Sequence, residues 1–444
     1  MNLQDRIRRF HRRNLSLGYY PCSFRSAMIF VPCFIIISSY TELLSGVKPN
    51  FQAWHDTAST ESRDGIVTHA LVGLVLWMIL GMLRKIILRR LLTYRGWMFE
   101  GNVPSLKTKL FIVTIRLLCG WSKPISSSLY DLQSILPSLP VPKVKDTLNQ
   151  YLESIEPLVD SDKFQELKTL AAEFAQKSGQ KLQRYLILKS WLAPNYISDW
   201  WEDYVYLKCR GSLLIDSNYY AVDTLQETTP DQASRAALLT YSAVATMKKI
   251  EDCTFEPIIA QGVIPLCAWQ VERMFNTTRV PGENIDTMQH EQFSDHIVVH
   301  HKGRYFKVNI YQDSRQEKLL SPAEFKLQFS RILEDTSEPD LGEDKLAALT
   351  AWDRTSWARA RQNYFKGGNK LSLDSIETSA FVVNLDEEQY SMKCLQNPGS
   401  QTPGYAESSR RLFHGNGCNL WLDKSINFIV FKNGQAGGCG EHTW

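Results

Sequence analysis

Cysteine is scarce and irregularly spaced in this sequence, with nine residues among 444. A disulfide framework is therefore not implied, and a reducing, cytosol-facing environment is favoured. An excess of one charge is also missing, because 50 basic residues stand against 47 acidic ones. That balance argues against a nucleic-acid partner, since nucleic-acid binding needs a clustered basic surplus.

Generic catalytic motifs are missing as well. The sequence has no glycine-rich phosphate loop with its lysine, no dinucleotide fingerprint, no metalloprotease motif and no nucleophile elbow. Cys418, Cys439 and His442 lack the fourth ligand and the paired spacing of a zinc site. We therefore predict no metal and no permanently bound cofactor.

Long apolar runs are concentrated in the first quarter of the chain. Residues 26–40 contain no charged residue, and the run extends to residue 44 if Glu42 is included. Residues 65–83 carry His69 as their one titratable side chain. A membrane-spanning helix needs about 17–25 mostly apolar residues, so the second run is long enough and the first is marginal. Two buried core helices, or a signal peptide for the first run, remain the alternatives.

Basic residues flank the two runs on their outer sides. The segment between the runs has no basic excess, with Lys48 and Arg63 against three acidic residues. By the positive-inside rule this pattern predicts a transmembrane hairpin over residues 26–90, with both termini in the cytosol. Its spans are residues 26–44 and 65–83, and a basic cytosolic arm, residues 1–25, precedes it. The outer basic residues are Arg6, Arg8, Arg9, Arg12, Arg13, Arg25, Arg84, Lys85, Arg89, Arg90 and Arg95.

The rest of the sequence predicts a linker at residues 91–135, followed by a domain of mixed α/β or α+β type at residues 136–444. Residues 110–119 are too short to span a membrane and predict an amphipathic or buried helix. Residues 162–176 have a helical apolar face, and a second long helix begins after Thr229, which is placed as its N-cap. The Trp200–Trp201 pair is interpreted as packed core.

Strand signals appear in the second half. Residues 296–301 and 304–311 are rich in β-formers and are separated by Lys302–Gly303, a two-residue hairpin turn. Residues 379–385 and 426–431 are further strands. His300 and His301 are interpreted as lying on a strand edge. Helices interleaved with scattered strands indicate a mixed β-sheet flanked by helices.

Several long segments resemble the carnitine/choline acyltransferase family, most closely the carnitine palmitoyltransferase type of the mitochondrial outer membrane. The resemblance covers nearly the whole chain. The hairpin with RGWMF at residues 95–99 is similar to the outer-membrane type. The other matching segments are residues 136–151, 198–223 (SDWWEDYVYLKCRGSLLIDSNYYAVD), 272–282 (ERMFNTTRVPG), 296–306, 345–351 and 428–444 (ending GGCGEHTW).

The resemblance implies acyl transfer from a long-chain acyl-coenzyme A, a co-substrate, to the hydroxyl of carnitine. The family's general base is a histidine followed by a small residue and tryptophan, which here are His442, Thr443 and Trp444. Imidazole suits this task because it titrates near neutral pH. Glu441 is interpreted as a surface carboxylate. The resemblance also implies a multi-pass protein of the mitochondrial outer membrane; a homo-oligomer stays open.

Departures from the family pattern shape the remaining expectations. The sequence corresponds to the N-terminal half of the family's catalytic domain, so the coenzyme A and carnitine sites are expected in a C-terminal half that is not in this sequence. We expect a poorly fixed His442, since the glycine-rich residues 437–440 add backbone freedom and an Asp four positions later is missing. The 444 residues alone are predicted to be inactive. The alternative is a membrane-anchored, non-catalytic isoform or pseudoenzyme that partners the full-length enzyme.

Overall fold

A computed structural model describes residues 24–40, 61–101, 103–119, 129–193, 195–223, 225, 228–312, 318–390 and 404–443. The chain divides into two compact units, residues 1–136 with 210–444 and residues 137–209. Three predicted features lie outside the described residues: the basic arm up to residue 23, residues 41–44 of the first span, and Trp444.

Three helices precede residue 120: α1 (Phe24–Tyr40), α2 (Glu61–Leu91) and α3 (Leu106–Cys119). Among the described residues, Val67–Phe99 is the one stretch long and apolar enough to cross a membrane. Helix α1 has 17 residues, which gives a length of about 25 Å against a bilayer core of about 30 Å. Two membrane spans therefore stay a prediction. Helix α3 confirms the short helix predicted at residues 110–119.

Helices α1 and α2 pack against each other. The indole Nε1 of Trp77 donates to Ser26 Oγ at 3.1 Å. A Cβ on Gly73 would lie 2.9 Å from the Phe34 ring, so this glycine permits close helix approach. The two apolar helices therefore form a pair, as a hairpin requires.

The unit at residues 137–209 is helical. It contains α4 (Val144–Ile155), α5 (Ser161–Gln176), α6 (Ser178–Leu192) and α7 (Ser198–Trp200), and α7 continues as a π-helix, Trp201–Leu207. Helix α5 confirms the helix predicted at residues 162–176. The core prediction for Trp200 and Trp201 is wrong, because they are 38% and 54% exposed. The π-helical turn carries Trp201 outward, and Lys189 Nζ lies 3.8 Å over the Trp200 ring, a cation–π contact that suits a surface.

A six-stranded mixed sheet forms the centre of the other unit, in the order β1-β10-β9-β8-β6-β7. Strand β8 pairs in parallel with both β6 and β9, and the remaining pairs are antiparallel. This confirms the predicted mixed α/β class. The strands are β1 (Asn218–Val222), β2 (Ile259–Ala260), β3 (Ile264–Pro265), β4 (Thr277–Val280), β5 (Thr287–His290), β6 (His296–His301), β7 (Arg304–Asn309), β8 (Val382–Leu385), β9 (Asn427–Val430) and β10 (Ala436–Glu441).

Helices cover both faces of this sheet. Val299 packs in one cluster with residues of α8 and α10, whereas Val298 packs in another with residues of α11 and α12. Alternate strand residues face opposite sides, so the sheet is the middle of three layers. These helices are α8 (Gln232–Glu251), α9 (Trp269–Glu272), α10 (Pro322–Glu334), α11 (Arg354–Tyr364), α12 (Gly368–Glu377) and α13 (Tyr405–His414).

The N-cap of α8 is Asp231, which accepts from the backbone N–H of Ser234 at 3.2 Å. The prediction of Thr229 as the cap is therefore wrong. The Thr229 hydroxyl instead accepts from the Asp231 N–H at 3.3 Å. The aspartate carboxylate is the cap because it reaches the first turn and favours the positive end of the helix dipole.

Local turn chemistry is confirmed at the β6–β7 hairpin. Lys302 and Gly303 have φ values of 48° and 78°, and two central residues with positive φ are what a two-residue hairpin of type I′ requires. The strand-edge interpretation of His300 and His301 is wrong, because β6 lies between β7 and β8 and both side chains are 5% exposed. The sequence pattern could not show which strand would cover β6 on its other side.

Candidate active site

His442 lies directly after β10 and is exposed. Strand β10 is bonded on both sides, since Glu441 pairs with Asn218 of β1 and Cys439 pairs with Asn427 of β9. The Tyr219 ring lies beside the imidazole, with 4.9 Å between the ring centroids. The sheet thus presents one histidine ring to solvent, supported by an aromatic side chain.

Both neighbours of His442 are buried and bonded. Glu441 is fully buried, and its Oε1 accepts from Ser217 Oγ at 2.6 Å and from Arg279 Nη1 at 2.8 Å. Thr443 is 3% exposed and donates from Oγ1 to the Arg273 carbonyl at 3.1 Å. The interpretation of Glu441 as a surface carboxylate is therefore wrong. Hydrogen bonds of these neighbours hold the backbone on both sides of His442, whereas a poorly fixed imidazole stays a prediction.

The glycines of β10 allow close packing. A Cβ on Gly440 would lie 2.6 Å from the Ser425 carbonyl oxygen and 2.7 Å from Tyr219 Oη. A Cβ on Gly437 would lie 2.7 Å from the Ala221 carbonyl oxygen. The prediction that these glycines loosen the backbone is wrong, since the strand is paired on both sides. Their small size lets Tyr219 cross the strand next to His442.

A buried ionic network extends from Glu441 into the domain. Arg279, 1% exposed at its side chain, bonds both Glu441 and Asp286, with its Nε 2.8 Å from Asp286 Oδ2. Arg354 Nε also donates to Asp286 Oδ2 at 2.8 Å, and Arg210 Nη2 donates to Asp286 Oδ1 at 2.8 Å. Asp286 therefore joins three arginines, one of which holds the residue before His442.

The far end of this network is Asp423. Its Oδ1 accepts from Arg354 Nη1 at 2.5 Å and its Oδ2 from Trp357 Nε1 at 2.7 Å. Burial would lower the pKa of Arg354, but the Asp423 and Asp286 carboxylates outweigh it and raise that pKa above its usual value. The guanidinium is thus held as a cation inside the protein. Charges buried in this way persist when they are paired and hydrogen-bonded.

The other residues singled out in the sequence do not join His442. Cys439 is buried and donates from Sγ to the Phe413 carbonyl at 3.6 Å. In the part of the chain that the structure describes, no group of three or more His, Cys, Asp and Glu side chains could hold a metal ion. Burial lowers the pKa of His300 to about 4, so this side chain is neutral inside the sheet.

Sequence reasoning did not identify Ser217, Tyr219, Arg279 or Asp286 as parts of the site. Three of them lie in the segments that carry the family resemblance: Ser217 and Tyr219 in SNYYA, and Arg279 in NTTRVPG. A charged residue flanked by β-formers, such as Arg279, was the available signal for a buried ion pair. Its partners could not be named, because Glu441 is 162 residues away along the chain.

Comparison with known proteins gives a family match over most of this chain. The sequence profile of the choline/carnitine O-acyltransferase family matches residues 139–444. The matched range contains the sheet, the ionic network and His442.

Individual relatives are similar over 70% to 98% of this chain. The human protein named carnitine O-palmitoyltransferase 1, liver isoform, is 44% identical over 441 residues, which are 98% of this chain and 56% of that protein. The Sus scrofa muscle isoform is 45% identical over 388 residues, 87% of this chain and 49% of that protein. The Mus musculus protein named carnitine O-palmitoyltransferase 2, mitochondrial, is 29% identical over 347 residues, 70% of this chain and 50% of that protein. The chain thus spans about half the length of these relatives.

Proposed function

Because the chain belongs to the choline/carnitine O-acyltransferase family, we propose that it provides the general base for acyl transfer from a long-chain acyl-coenzyme A to carnitine. The base is His442. The observation that carries this proposal is an exposed imidazole, at the end of a sheet strand, between two buried and hydrogen-bonded neighbours.

The proposed reaction needs a base because an alcohol is a weak nucleophile. The His442 imidazole takes the proton of the carnitine hydroxyl while the oxygen attacks the thioester carbonyl. The new C–O bond gives a tetrahedral intermediate, and the C–S bond then breaks. The coenzyme A thiolate leaves with the proton that the imidazolium returns. Donors for the oxyanion, and the coenzyme A and carnitine contacts, are not assigned to residues of this chain.

Glu441 and Arg279 act in this proposal as positioning residues. They do not need to touch the substrate, because their bond fixes the backbone from which His442 projects. A displacement of about 1 Å at a reacting group costs on the order of a hundredfold in rate. The Tyr219 ring packs against the His442 imidazole and restricts its rotation.

We also propose that α1 and α2 form a transmembrane hairpin in the mitochondrial outer membrane, with both termini in the cytosol. Support comes from the length of the apolar stretch at Val67–Phe99, from its packing against α1 through Trp77 and Ser26, and from the basic outer flanks. The organelle follows from the resemblance alone. Glycosylation sites introduced in the 41–60 segment and near residue 2, in a microsomal insertion assay, would test the orientation.

The acyl-transfer proposal is tested in a chimera of residues 1–444 followed by the remaining C-terminal part of the human liver isoform. The chimera should form palmitoylcarnitine from palmitoyl-coenzyme A and carnitine. Replacing His442→Ala should lower kcat by about a thousandfold, within the range expected for a general base. His69→Ala, in α2, is the matched control and should leave kcat unchanged.

Unchanged turnover in the His442→Ala chimera would exclude the proposed base. The inactivity of the 444 residues by themselves stays a prediction, tested by the same assay on the unfused chain. A native 444-residue product that forms no palmitoylcarnitine but co-purifies with a longer acyltransferase would favour the non-catalytic partner instead.

A further inference from the structure

The backbone makes a tight turn at His442, directly after β10. The backbone N–H of Thr443 donates to the Glu441 carbonyl at 2.7 Å, and a bond between residues i and i+2 closes a three-residue γ-turn. His442 is the central residue of this turn and is exposed, whereas both flanking residues are buried. The direction of the imidazole therefore depends on how the two flanking residues are held.

One segment of the chain, residues 272–282, contacts both flanking residues. The Arg279 guanidinium in β4 bonds the Glu441 carboxylate, with 2.8 Å between Nη1 and Oε1. The carbonyl of Arg273, the residue after α9, accepts from Thr443 Oγ1 at 3.1 Å. One contact holds the residue before His442 and the other holds the residue after it. The side chains of Glu441 and Thr443 are thus two anchors of a single turn.

The bond from Thr443 depends on its hydroxyl group. The acceptor is a backbone carbonyl, which every residue at position 273 would supply. Serine carries the same donor as threonine, whereas valine has nearly the same shape and no donor. Thr443 is 3% exposed, so water has little access to replace the bond in a valine variant. The contribution of the hydroxyl can therefore be separated from that of the side-chain volume.

We propose that Thr443 is a positioning residue for acyl transfer, because its hydroxyl fixes the turn from which His442 projects. This inference rests on the proposed function of His442 as the general base. Thr443 does not need to touch the substrate, since its hydroxyl is bonded to the Arg273 carbonyl. A small residue without a hydroxyl would fit this space but would leave the second anchor unmade. The turn would then keep one side-chain anchor, the bond between Glu441 and Arg279.

Steady-state kinetics of Thr443→Val and Thr443→Ser test this role in the chimera of residues 1–444 with the C-terminal part of the human liver isoform. Thr443→Val should lower kcat about tenfold, since a displacement of about 1 Å at a reacting group costs on the order of a hundredfold. The KM values for palmitoyl-coenzyme A and carnitine should stay within about twofold, because the substrate contacts are unchanged. Thr443→Ser keeps the donor and should retain kcat within about twofold.

Thr350→Val is the matched control. Thr350 is fully buried, and its Oγ1 donates to the Ala347 carbonyl at 2.7 Å, so the variant also removes a buried hydroxyl bond. It does not alter the turn at His442 and should leave kcat unchanged. All rates are referred to the folded fraction, measured by circular dichroism. If Thr443→Val does not fold, Thr443→Ala removes the same hydroxyl without adding an apolar branch and carries the test.

His442→Ala, assayed in parallel, separates this inference from the proposed function. Full kcat in Thr443→Val with a large loss in His442→Ala would overturn the role of Thr443 and leave the base in place. Full kcat in both variants would overturn both proposals. Equal losses in Thr443→Val and Thr443→Ser, an equal loss in Thr350→Val, or a loss confined to KM would show that the hydroxyl does not position the imidazole.

Discussion

The guanidinium of Arg279 and the carboxylate of Glu441 meet at 2.8 Å, although 162 residues separate them in the chain. Both side chains are at most 1% exposed. Their bond joins β4 to the end of β10, one residue before the exposed His442. The position of the proposed base thus depends on a pair of charges that are buried together, and a buried ion pair is costly to break from one side.

Glu441→Gln should separate positioning from folding. The amide keeps the size and one acceptor oxygen, but it removes the charge opposite Arg279. In the active chimera we expect kcat to fall by roughly a hundredfold through misplacement of His442, with the KM for palmitoyl-coenzyme A nearly unchanged. Glu377→Gln breaks the Arg361–Glu377 pair, whose Nη2–Oε2 distance is 2.7 Å, and should leave kcat unaffected. Equal effects of the two variants on kcat would contradict a positioning role for Glu441.

Arg279→Met should reduce the stability of the domain. The variant leaves the Glu441 carboxylate buried without its guanidinium, and breaking one side of such a pair costs about 3–5 kcal/mol. Asp286 keeps Arg210 and Arg354 as partners, so the loss centres on Glu441. Urea denaturation of Arg279→Met and of the double variant Arg279→Met/Glu441→Met measures it. We expect the double variant to be the more stable of the two, because it leaves no unpaired charge inside the protein. If Arg279→Met were the more stable, the unpaired Glu441 carboxylate would not be the cause of the lost stability.

Gly440→Ala should disturb the wall beside His442. The added Cβ would meet the Ser425 carbonyl oxygen at 2.6 Å and Tyr219 Oη at 2.7 Å, and overpacking of this kind costs about 1–3 kcal/mol. Gly438→Ala is the matched control, because its nearest neighbour would be 3.3 Å away. The thermal midpoints of the two variants, measured in detergent, compare them directly. An equal midpoint for both would show that the backbone shifts to accept the methyl group.

Local patterns predicted the elements that depend on local chemistry. The I′ turn at Lys302–Gly303 follows from the two residues themselves, and the helix ending at Gln176 follows from its apolar face. The mixed sheet follows from the alternation of helices with strands. Each of these signals lies within a few residues of the structure that it specifies.

Features that depend on distant partners could not be predicted. Glu441 looks like a surface carboxylate in the sequence, but Ser217, 224 residues away, and Arg279 pair with it inside the protein. His300 is buried because β8 covers β6 on one side, which no local pattern shows. The resemblance identified His442, whereas the structure was needed to show what holds it.

Lys424 should make the stability of this domain depend on pH. Its ammonium is fully buried and donates to the Glu377 carbonyl at 2.7 Å and to Thr278 Oγ1 at 3.0 Å. Burial lowers its pKa to about 7. The unfolded lysine keeps its proton up to about pH 10.4, so the unfolded state binds more protons above pH 7 and stability rises with pH there.

The Lys424→Met variant removes this titration. Between pH 6 and pH 8 we expect the free energy of unfolding of the wild type to rise by roughly 1 kcal/mol relative to that of Lys424→Met, because the buried ammonium becomes neutral. Urea denaturation at the two pH values measures the gain. Identical pH dependence in wild type and variant would mean that Lys424 stays charged when it is buried.

His300→Phe should protect the fold against acid. Burial lowers the pKa of His300 to about 4, whereas the unfolded histidine titrates near 6.5. Between these two pH values the unfolded histidine is protonated and the folded one is not. The free energy of unfolding therefore falls as the pH drops from 6.5 towards 4. This contribution amounts to about 2 kcal/mol between pH 8 and pH 5.

Phenylalanine keeps the ring contact with Tyr305, whose centroid is 4.9 Å from that of His300. Phenylalanine cannot take up a proton. The free energy of unfolding of His300→Phe should therefore fall by about 2 kcal/mol less than that of the wild type between pH 8 and pH 5. Comparing each protein with itself at the two pH values removes any constant repacking effect of the larger ring. Asn384 lies close enough to favour the charged form of His300. If both proteins lose the same free energy of unfolding between pH 8 and pH 5, the folded state must accept the proton on His300 as readily as the unfolded state does. That result would contradict a lowered pKa for His300.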